Sequence, residues 1–183
     1  YINYIPDQKI SKAVSAGLFK PVSNFGELKN TNIIIICVPT PINKNREPDL
    51  GFVRSTSEEI AGILRSGQLI ILESTTYPGC TETILKPILE TSGLTSRIDF
   101  YLSYSPERVD PGNRDFKNED IPKVVGGDGE DALKLATNLY GQIFNQIVPV
   151  SSMDAAEATK LAENIFRSVN IALVNELKII FSK

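Results

Sequence analysis

No histidine occurs anywhere in the 183 residues. A His-based catalytic triad and a His-ligated metal site are therefore excluded within this chain. Acid–base chemistry must fall to carboxylates, lysine, hydroxyls or water. The two cysteines, Cys37 and Cys80, stand in no metal-ligand spacing. No apolar run approaches the roughly 18 residues of a membrane span; the longest covers residues 33–38. A basic face is missing too. With 19 Lys and Arg against 22 Asp and Glu and a pI near 5.1, the composition argues against a nucleic-acid binder. The opening YINYIPDQKI shows no basic stretch followed by an apolar one, the pattern of a secretory signal, and the expected location is the cytoplasm.

What is present is an alternation of apolar runs with amphipathic stretches, the pattern of a parallel sheet covered by helices. Residues 33–38 (IIIICV) do not alternate polar with apolar, which predicts a strand buried on both faces. Asp49 is placed to cap a helix carrying Leu50, Val53, Ile60 and Leu64, closed by Gly67. Strands are expected at 69–72, 100–104, 123–125 and 146–150, and helices at 81–91 and 131–140, with Pro87 a kink or early stop. From Asp154 onward no proline or glycine interrupts the chain, and Ala158, Leu161, Ile165, Val169, Ala172, Leu173, Leu177 and Ile180 recur at helical spacing. One long helix results, of the kind that bridges to another domain or subunit.

Residues 127–132 read G-x-G-x-x-A between a strand and a helix, which formally matches a dinucleotide fingerprint. Physical chemistry opposes that match. Asp128, Glu130 and Asp131 would set three carboxylates where a pyrophosphate should lie. They are better read as favourable charges at the positive end of a helix dipole.

In a doubly wound sheet, ligands bind beyond the carboxyl ends of the strands. Three segments sit at such ends: ICVPTP (36–41), ESTTYPG (73–79) and SPERVDPGN (105–113). Turn and cap chemistry alone explains any one of them; three in register point to a ligand. A fourth segment, KLAEN (160–164), lies on the long helix, where Lys160 and Asn164 share a face. From spacing alone a solvated helix face is the simpler reading. A cation beside an amide donor is also what stabilises an oxyanion during attack on a carbonyl.

Together these four segments resemble the UDP-glucose/GDP-mannose dehydrogenase family of nucleotide-sugar 6-dehydrogenases, with YINYIPD, REPDL (46–50) and NIFRSVNIALVNEL (164–177) extending the likeness along the chain. The resemblance implies an α/β, Rossmann-like doubly wound parallel sheet lacking its first βαβ unit. Residues 1–152 would be the remainder of the NAD-binding domain and 153–183 the start of a long central helix, through which the full-length enzyme would form a homodimer. It implies catalytic roles for Thr75, which orders a water and approaches the nicotinamide, for Glu107 in acid–base work, and for Lys160 and Asn164 at the oxyanion. Pro39, Thr40, Ser74 and Thr75 would line the NAD site. Glu107, Arg108, Val109, Lys160 and Asn164 would meet the UDP-sugar.

The implied reaction takes C6 from alcohol through aldehyde to acid with two NAD, by way of a thiohemiacetal and a thioester on a cysteine. REPDL followed by SPERVDPGN resembles the branch acting on UDP-N-acetylglucosamine, with UDP-N-acetylmannosamine close behind. Pro111 replaces a second glutamate carried by some UDP-glucose enzymes. Products of this kind feed surface polysaccharides in the family. The family's N-terminal glycine loop, its ribose-binding acid and its cysteine-bearing sugar domain have no counterpart in this sequence. Cys37 is expected in a buried strand, and Cys80 at a helix-opening turn that favours a reactive thiol. The chain alone is accordingly expected to be an inactive fragment that holds NAD weakly and self-associates through an open sheet edge. A β-hydroxyacid/6-phosphogluconate-type dehydrogenase and a non-catalytic interaction module are the alternatives.

Overall fold

A computed structural model describes residues 5–108 and 118–182. Val109 and Pro111 lie outside the described residues. The elements in chain order are α1 (Asp7–Ser15), β1 (Ile33–Ile36), α2 (Gly51–Ala61), β2 (Leu69–Leu72), a π-type turn (Thr81–Leu85) running into α3 (Lys86–Glu90), β3 (Tyr101–Tyr104), β4 (Lys123–Gly127), α4 (Glu130–Tyr140), β5 (Ile147–Pro149) and α5 (Met153–Phe181). The strands form one sheet in the order β1-β2-β3-β4-β5.

β2 is the centre of the core. All four of its side chains are buried, as an uninterrupted apolar run predicts. Ile70 and Leu72 face a core shared with Val53 and Ile60 of α2 and Leu85 and Leu89 of the next helical segment, while Leu69 and Ile71 face Val125, Ala136 and Tyr140 under α4. Burial of each such Leu or Ile contributes about 1.5–3 kcal/mol. β1 departs from the sequence expectation. Ile34 and Ile36 are buried, but Ile33 is 37% exposed and Ile35 43% exposed. β1 is an edge strand, and its second face is only partly covered, with Ile35 bordering a cavity beside Ile143 and Phe144.

The helix expected at 81–91 is broken into a π-type turn and α3. Pro87 supplies no N–H to Thr83, and the Lys86 amide reaches back five residues to the Thr81 carbonyl. At α2, the Asp49 carboxylate accepts from the Gly51 amide at 2.8 Å, and the helix ends at Ala61, short of Gly67.

The sheet is mostly, not wholly, parallel. β3 and β4 pair antiparallel, whereas β1–β2, β2–β3 and β4–β5 are parallel. The chain therefore enters β4 at the edge where β1, β2 and β3 end. β4 carries it to the far edge, α4 returns it, β5 descends again, and α5 climbs back to the first edge. This zigzag fixes which residues can meet there. It also places the 127–132 loop at the opposite edge, away from the other three loops. Close packing accounts for Gly127 and for Gly126 just before the loop: a Cβ on Gly126 would stand 2.3 Å from the Ser152 carbonyl oxygen, and one on Gly127 2.4 Å from the Leu133 nitrogen, while Gly129 takes a positive φ of 91°.

Glu130 and Asp131 do occupy the first turn of α4, as the dipole reading expects, but Asp128 does not join them. Its buried carboxylate accepts from Ser96 Oγ at 2.8 Å and pairs with Lys86 Nζ at 3.1 Å and with Arg97. Burial pushes this carboxyl up, yet the hydrogen bonds from Arg97, Ser96 and Lys86 outweigh it and hold the group below the ordinary 3.8. A depressed folded value adds stability above the unfolded pKa and loses it as pH falls through the folded one. Asp128→Asn is thus expected to lower stability at pH 7 by about 1–3 kcal/mol. In urea titrations the gap between the two proteins should close as pH drops below 3.8; a gap that persists in acid would contradict this account.

Candidate active site

Thr75, Glu107 and Lys160 meet at the edge where β1, β2 and β3 end. Lys160 Nζ donates to Thr75 Oγ1 at 2.9 Å and lies 3.4 Å from Glu107 Oε2. The three residues come from the loop after β2, the loop after β3, and the third turn of α5. α5 begins at the far edge, with the Ser152 hydroxyl accepting from the Ala155 amide at 3.1 Å. At about 1.5 Å per residue, seven residues of climb bring Lys160 level with the strand ends.

Two cavities meet at these groups. One, of about 580 Å³, is lined by Glu107, Arg108, Lys160, Asn164, Arg167 and Asn170 among others. The other, of about 230 Å³, is lined by Pro39, Thr40, Ser74, Thr75, Glu107 and Lys160, together with Cys37 and Glu73. Glu107 and Lys160 border both. Of the candidate site residues, Val109 lies outside the described residues. Ser74 is buried: its hydroxyl donates to the Ile36 carbonyl at 3.4 Å, and its own carbonyl accepts from Tyr104 Oη at 3.3 Å. Arg108 turns its guanidinium into the fold, bidentate to Glu163 of α5 and 2.8 Å from the Pro122 carbonyl. Its side chain therefore ties the loop after β3 to α5.

Both cysteine expectations need correction. Cys37 follows β1 and is exposed, and Cys80 is fully buried. Burial, then Glu73, pushes the Cys37 thiol up to about 11; burial, then Glu157, pushes Cys80 up to about 12. Neither is a thiolate near neutral pH.

Four residues that the sequence reading passed over organise the site. Glu157 of α5 is fully buried, and its carboxylate accepts from the Gly79 amide (2.6 Å), the Thr81 amide (2.9 Å), Thr81 Oγ1 (2.6 Å) and Thr76 Oγ1 (3.2 Å). Desolvation still raises its pKa above the ordinary 4.5, against the lowering by those bonds. Its position was readable, since Met153, Ala156, Glu157 and Lys160 follow one another at helical spacing down one face. Glu73, Lys123 and Tyr140 form a second cluster at the same edge, with Lys123 Nζ 2.8 Å from Glu73 Oε1. Only the antiparallel β3–β4 pairing brings Lys123 there, and no local sequence signal marks it.

Comparison with known proteins follows the same lines. The UDP-glucose/GDP-mannose dehydrogenase family, NAD binding domain, matches residues 3–144. The UDP-N-acetyl-D-glucosamine 6-dehydrogenase of Pseudomonas aeruginosa is 42% identical over 162 residues, covering 87% of this chain and 38% of that protein. The UDP-N-acetyl-D-mannosamine dehydrogenase of Pyrococcus horikoshii is 37% identical over 175 residues, covering 95% and 41%. A solved UDP-D-ManNAc dehydrogenase structure from Pyrococcus horikoshii superposes with a TM-score of 0.85 at 39% identity, over 93% of this chain and 40% of that one. The fold and the matched region are those of a dehydrogenase cofactor domain. The chain belongs to the UDP-glucose/GDP-mannose dehydrogenase family, whose cofactor is NAD, and it spans about 40% of the length of the relatives it matches.

The smaller cleft lies where a doubly wound sheet takes a cofactor. Pro39 and Thr40 give the smaller cleft a neutral rim, and the cleft opens at the carboxyl ends of β1 and β2. The described residues do not include a glycine loop for the pyrophosphate, and the 127–132 loop is at the wrong edge for that role.

Glu157→Gln sets an amide N–H₂ against donors that need an acceptor. We expect about 1–3 kcal/mol of lost stability and faster hydrogen exchange at the Gly79 and Thr81 amides. Unchanged protection at those two amides would show that the loop is held some other way.

Proposed function

We propose that this chain contributes the cofactor side and part of the sugar side of an NAD-dependent 6-dehydrogenase acting on a UDP-N-acetylhexosamine. The alcohol at C6 would become a uronic acid at the expense of two NAD. The observation that carries the reading is Lys160, seated between Thr75 and Glu107 where the two cavities meet. Residues 1–152 would belong to the NAD-binding domain and 153–183 to a helix leading to a sugar-binding domain. The activity would reside in a longer cytoplasmic chain that supplies the glycine loop and a nucleophilic cysteine. The identity of the substrate rests on the two UDP-N-acetylhexosamine dehydrogenases named above and on the REPDL and SPER segments.

NAD, when bound, supplies the hydride acceptor. The chain's own residues would handle oxygen and protons. Lys160 donates to the Thr75 oxygen, so the Thr75 hydroxyl proton is directed elsewhere and is available to a water or a substrate oxygen. Glu107 stands at the junction as an acceptor for the proton of a water or hydroxyl. Lys160 and the Asn164 amide, one turn further along α5, both line the larger cavity, where they would favour a negative oxygen as it develops. Arg108, held by Glu163, keeps its loop against α5 and leaves the loop backbone to meet the sugar.

The test uses the longer protein with NAD and a panel of UDP-sugars, following NADH absorbance. Two NADH per UDP-N-acetylglucosamine or UDP-N-acetylmannosamine are expected, with kcat reduced roughly 100-fold or more by Lys160→Ala. No NADH from any UDP- or GDP-sugar would overturn the proposal.

The 183-residue chain by itself would turn over no sugar and would self-associate. β1 is a sheet-edge strand whose Ile33 and Ile35 are partly exposed, and Ile165, Phe166, Val169, Leu173, Ile180 and Phe181 of α5 are exposed. In the longer enzyme that helix would carry the contact of a homodimer. Sedimentation should reveal dimers or larger species; a monodisperse, highly stable monomer would argue against both exposed surfaces being contact sites.

A further inference from the structure

Glu73 of the Glu73–Lys123–Tyr140 cluster borders the smaller cavity, and the cluster joins the two loops that deliver Thr75 and Glu107. Glu73 closes β2 and stands two residues before Thr75. Its Oε1 accepts from Lys123 Nζ at 2.8 Å and from the Tyr140 hydroxyl, and its Oε2 lies 3.6 Å from Cys37 Sγ. Lys123, the first residue of β4, is buried, and its ammonium also reaches the Pro106 carbonyl, one residue before Glu107, at a marginal 3.5 Å. The ammonium lies 4.7 Å from the Tyr140 ring centroid and 5.4 Å from that of Phe144. One side chain thus contacts the stem of the Thr75 loop and the stem of the Glu107 loop.

A buried ion pair is weak evidence for stability, since apolar residues of similar volume often serve as well. Its distinctive property is direction. The loop after β3 is otherwise anchored at Ser105, whose amide donates to the Leu72 carbonyl at 3.0 Å and whose hydroxyl donates to the Val124 carbonyl at 2.7 Å. Beyond Ser105, Lys123 is the next hold on this strand end before Glu107. The loop after β2 is anchored at Glu73 and Ser74, whose amides both donate to the Ile36 carbonyl, at 2.9 and 3.3 Å. Without the Glu73–Lys123 link, the two strand ends would still be joined by the Ser105–Leu72 and Tyr104–Ser74 hydrogen bonds, but the stem at Pro106, next to Glu107, would lose its tie to Glu73.

We infer that Lys123, oriented by Glu73 and Tyr140, is a positioning residue that sets the separation of Thr75 from Glu107 and with it the seat of Lys160. The inference rests on the dehydrogenase reading for its consequence in catalysis, but its structural content is separate. Lys160 can contact both partners only while they stand a few ångströms apart on either side of its ammonium. Displacement of reacting groups by about 1 Å is enough to cost on the order of 100-fold in rate.

Two measurements separate the inference from the reading it rests on. In the longer protein, Lys123→Met is expected to lower kcat at least tenfold while KM for NAD and for the UDP-sugar stays within about twofold. Lys123→Arg should recover part of the loss, and Glu73→Gln combined with Lys123→Met should do no more harm than either alone. In the 183-residue chain, NMR should show the amide resonances of Thr75 and Glu107 shifting and broadening together in Lys123→Met, with α2 undisturbed. Tyr140→Phe, which keeps the ring and removes one hydrogen bond, should give the same pattern more weakly if Lys123→Met does not fold. A lower melting temperature with unchanged kcat would reduce the cluster to a structural ion pair and overturn the inference. Unmoved Thr75 and Glu107 resonances would do the same. If the wild-type longer protein oxidises no sugar, the functional reading falls, and the NMR result alone decides whether Lys123 couples the two loops.

Discussion

Everything at the active edge hangs on one buried carboxylate. Glu157 is cut off from solvent, and it is tolerated there because four donors from a single loop converge on it. Two of those donors are backbone amides at the opening of the helical segment after β2, groups that the helix itself leaves unsatisfied. A long helix from the end of the chain thereby caps a short one from its middle. Because Lys160 lies one turn beyond Glu157, the same contact that closes the loop also delivers the ammonium to Thr75. Side-chain length does the rest.

Topology decides which further groups can join. In an all-parallel sheet, β4 would start at the far edge and Lys123 would be out of reach of Glu73. The antiparallel entry reverses this. It also carries the 127–132 loop away from the ligand edge, where Gly126 and Gly127 admit the N-terminus of α5 and the flank of α4 at distances no Cβ would allow. The glycine-rich sequence and the cofactor-like pattern have the same physical origin, close backbone approach, but only one of the two settings involves a phosphate.

What could be read from residues alone followed from periodicity. The run LIIL predicts β2 to the residue, and the uninterrupted spacing from Asp154 predicts α5 to within a residue at its start. Loop chemistry at three strand ends pointed to the loops that line the smaller cavity, whereas spacing alone favoured a solvated face for Lys160 and Asn164, and the family resemblance singled out those two residues, which line the larger cavity. The failures are non-local. IIIICV looks like a strand sheltered on both faces because composition reports what a strand can bury, whereas neighbours decide what it does bury. Cys80 sits at a helix opening that would lower its pKa, but desolvation, which a sequence does not display, dominates. Lys123 and Tyr140 are ordinary residues in an ordinary strand and helix until the sheet order sets them beside Glu73.

The proportions of α5 have a mechanical consequence. Glu157 pins the helix about 6 Å from its first residue, leaving roughly 36 Å between that pin and Phe181 at 1.5 Å per residue. The pin acts as a fulcrum with very unequal arms. A tilt of about 3° would sweep the distal tip by about 2 Å but displace Lys160, about 4.5 Å from the fulcrum, by only about 0.2 Å. Whatever the outer arm carries can swing while the ammonium stays within reach of Thr75. The long helix therefore insulates the chemistry from the motion of its own far end.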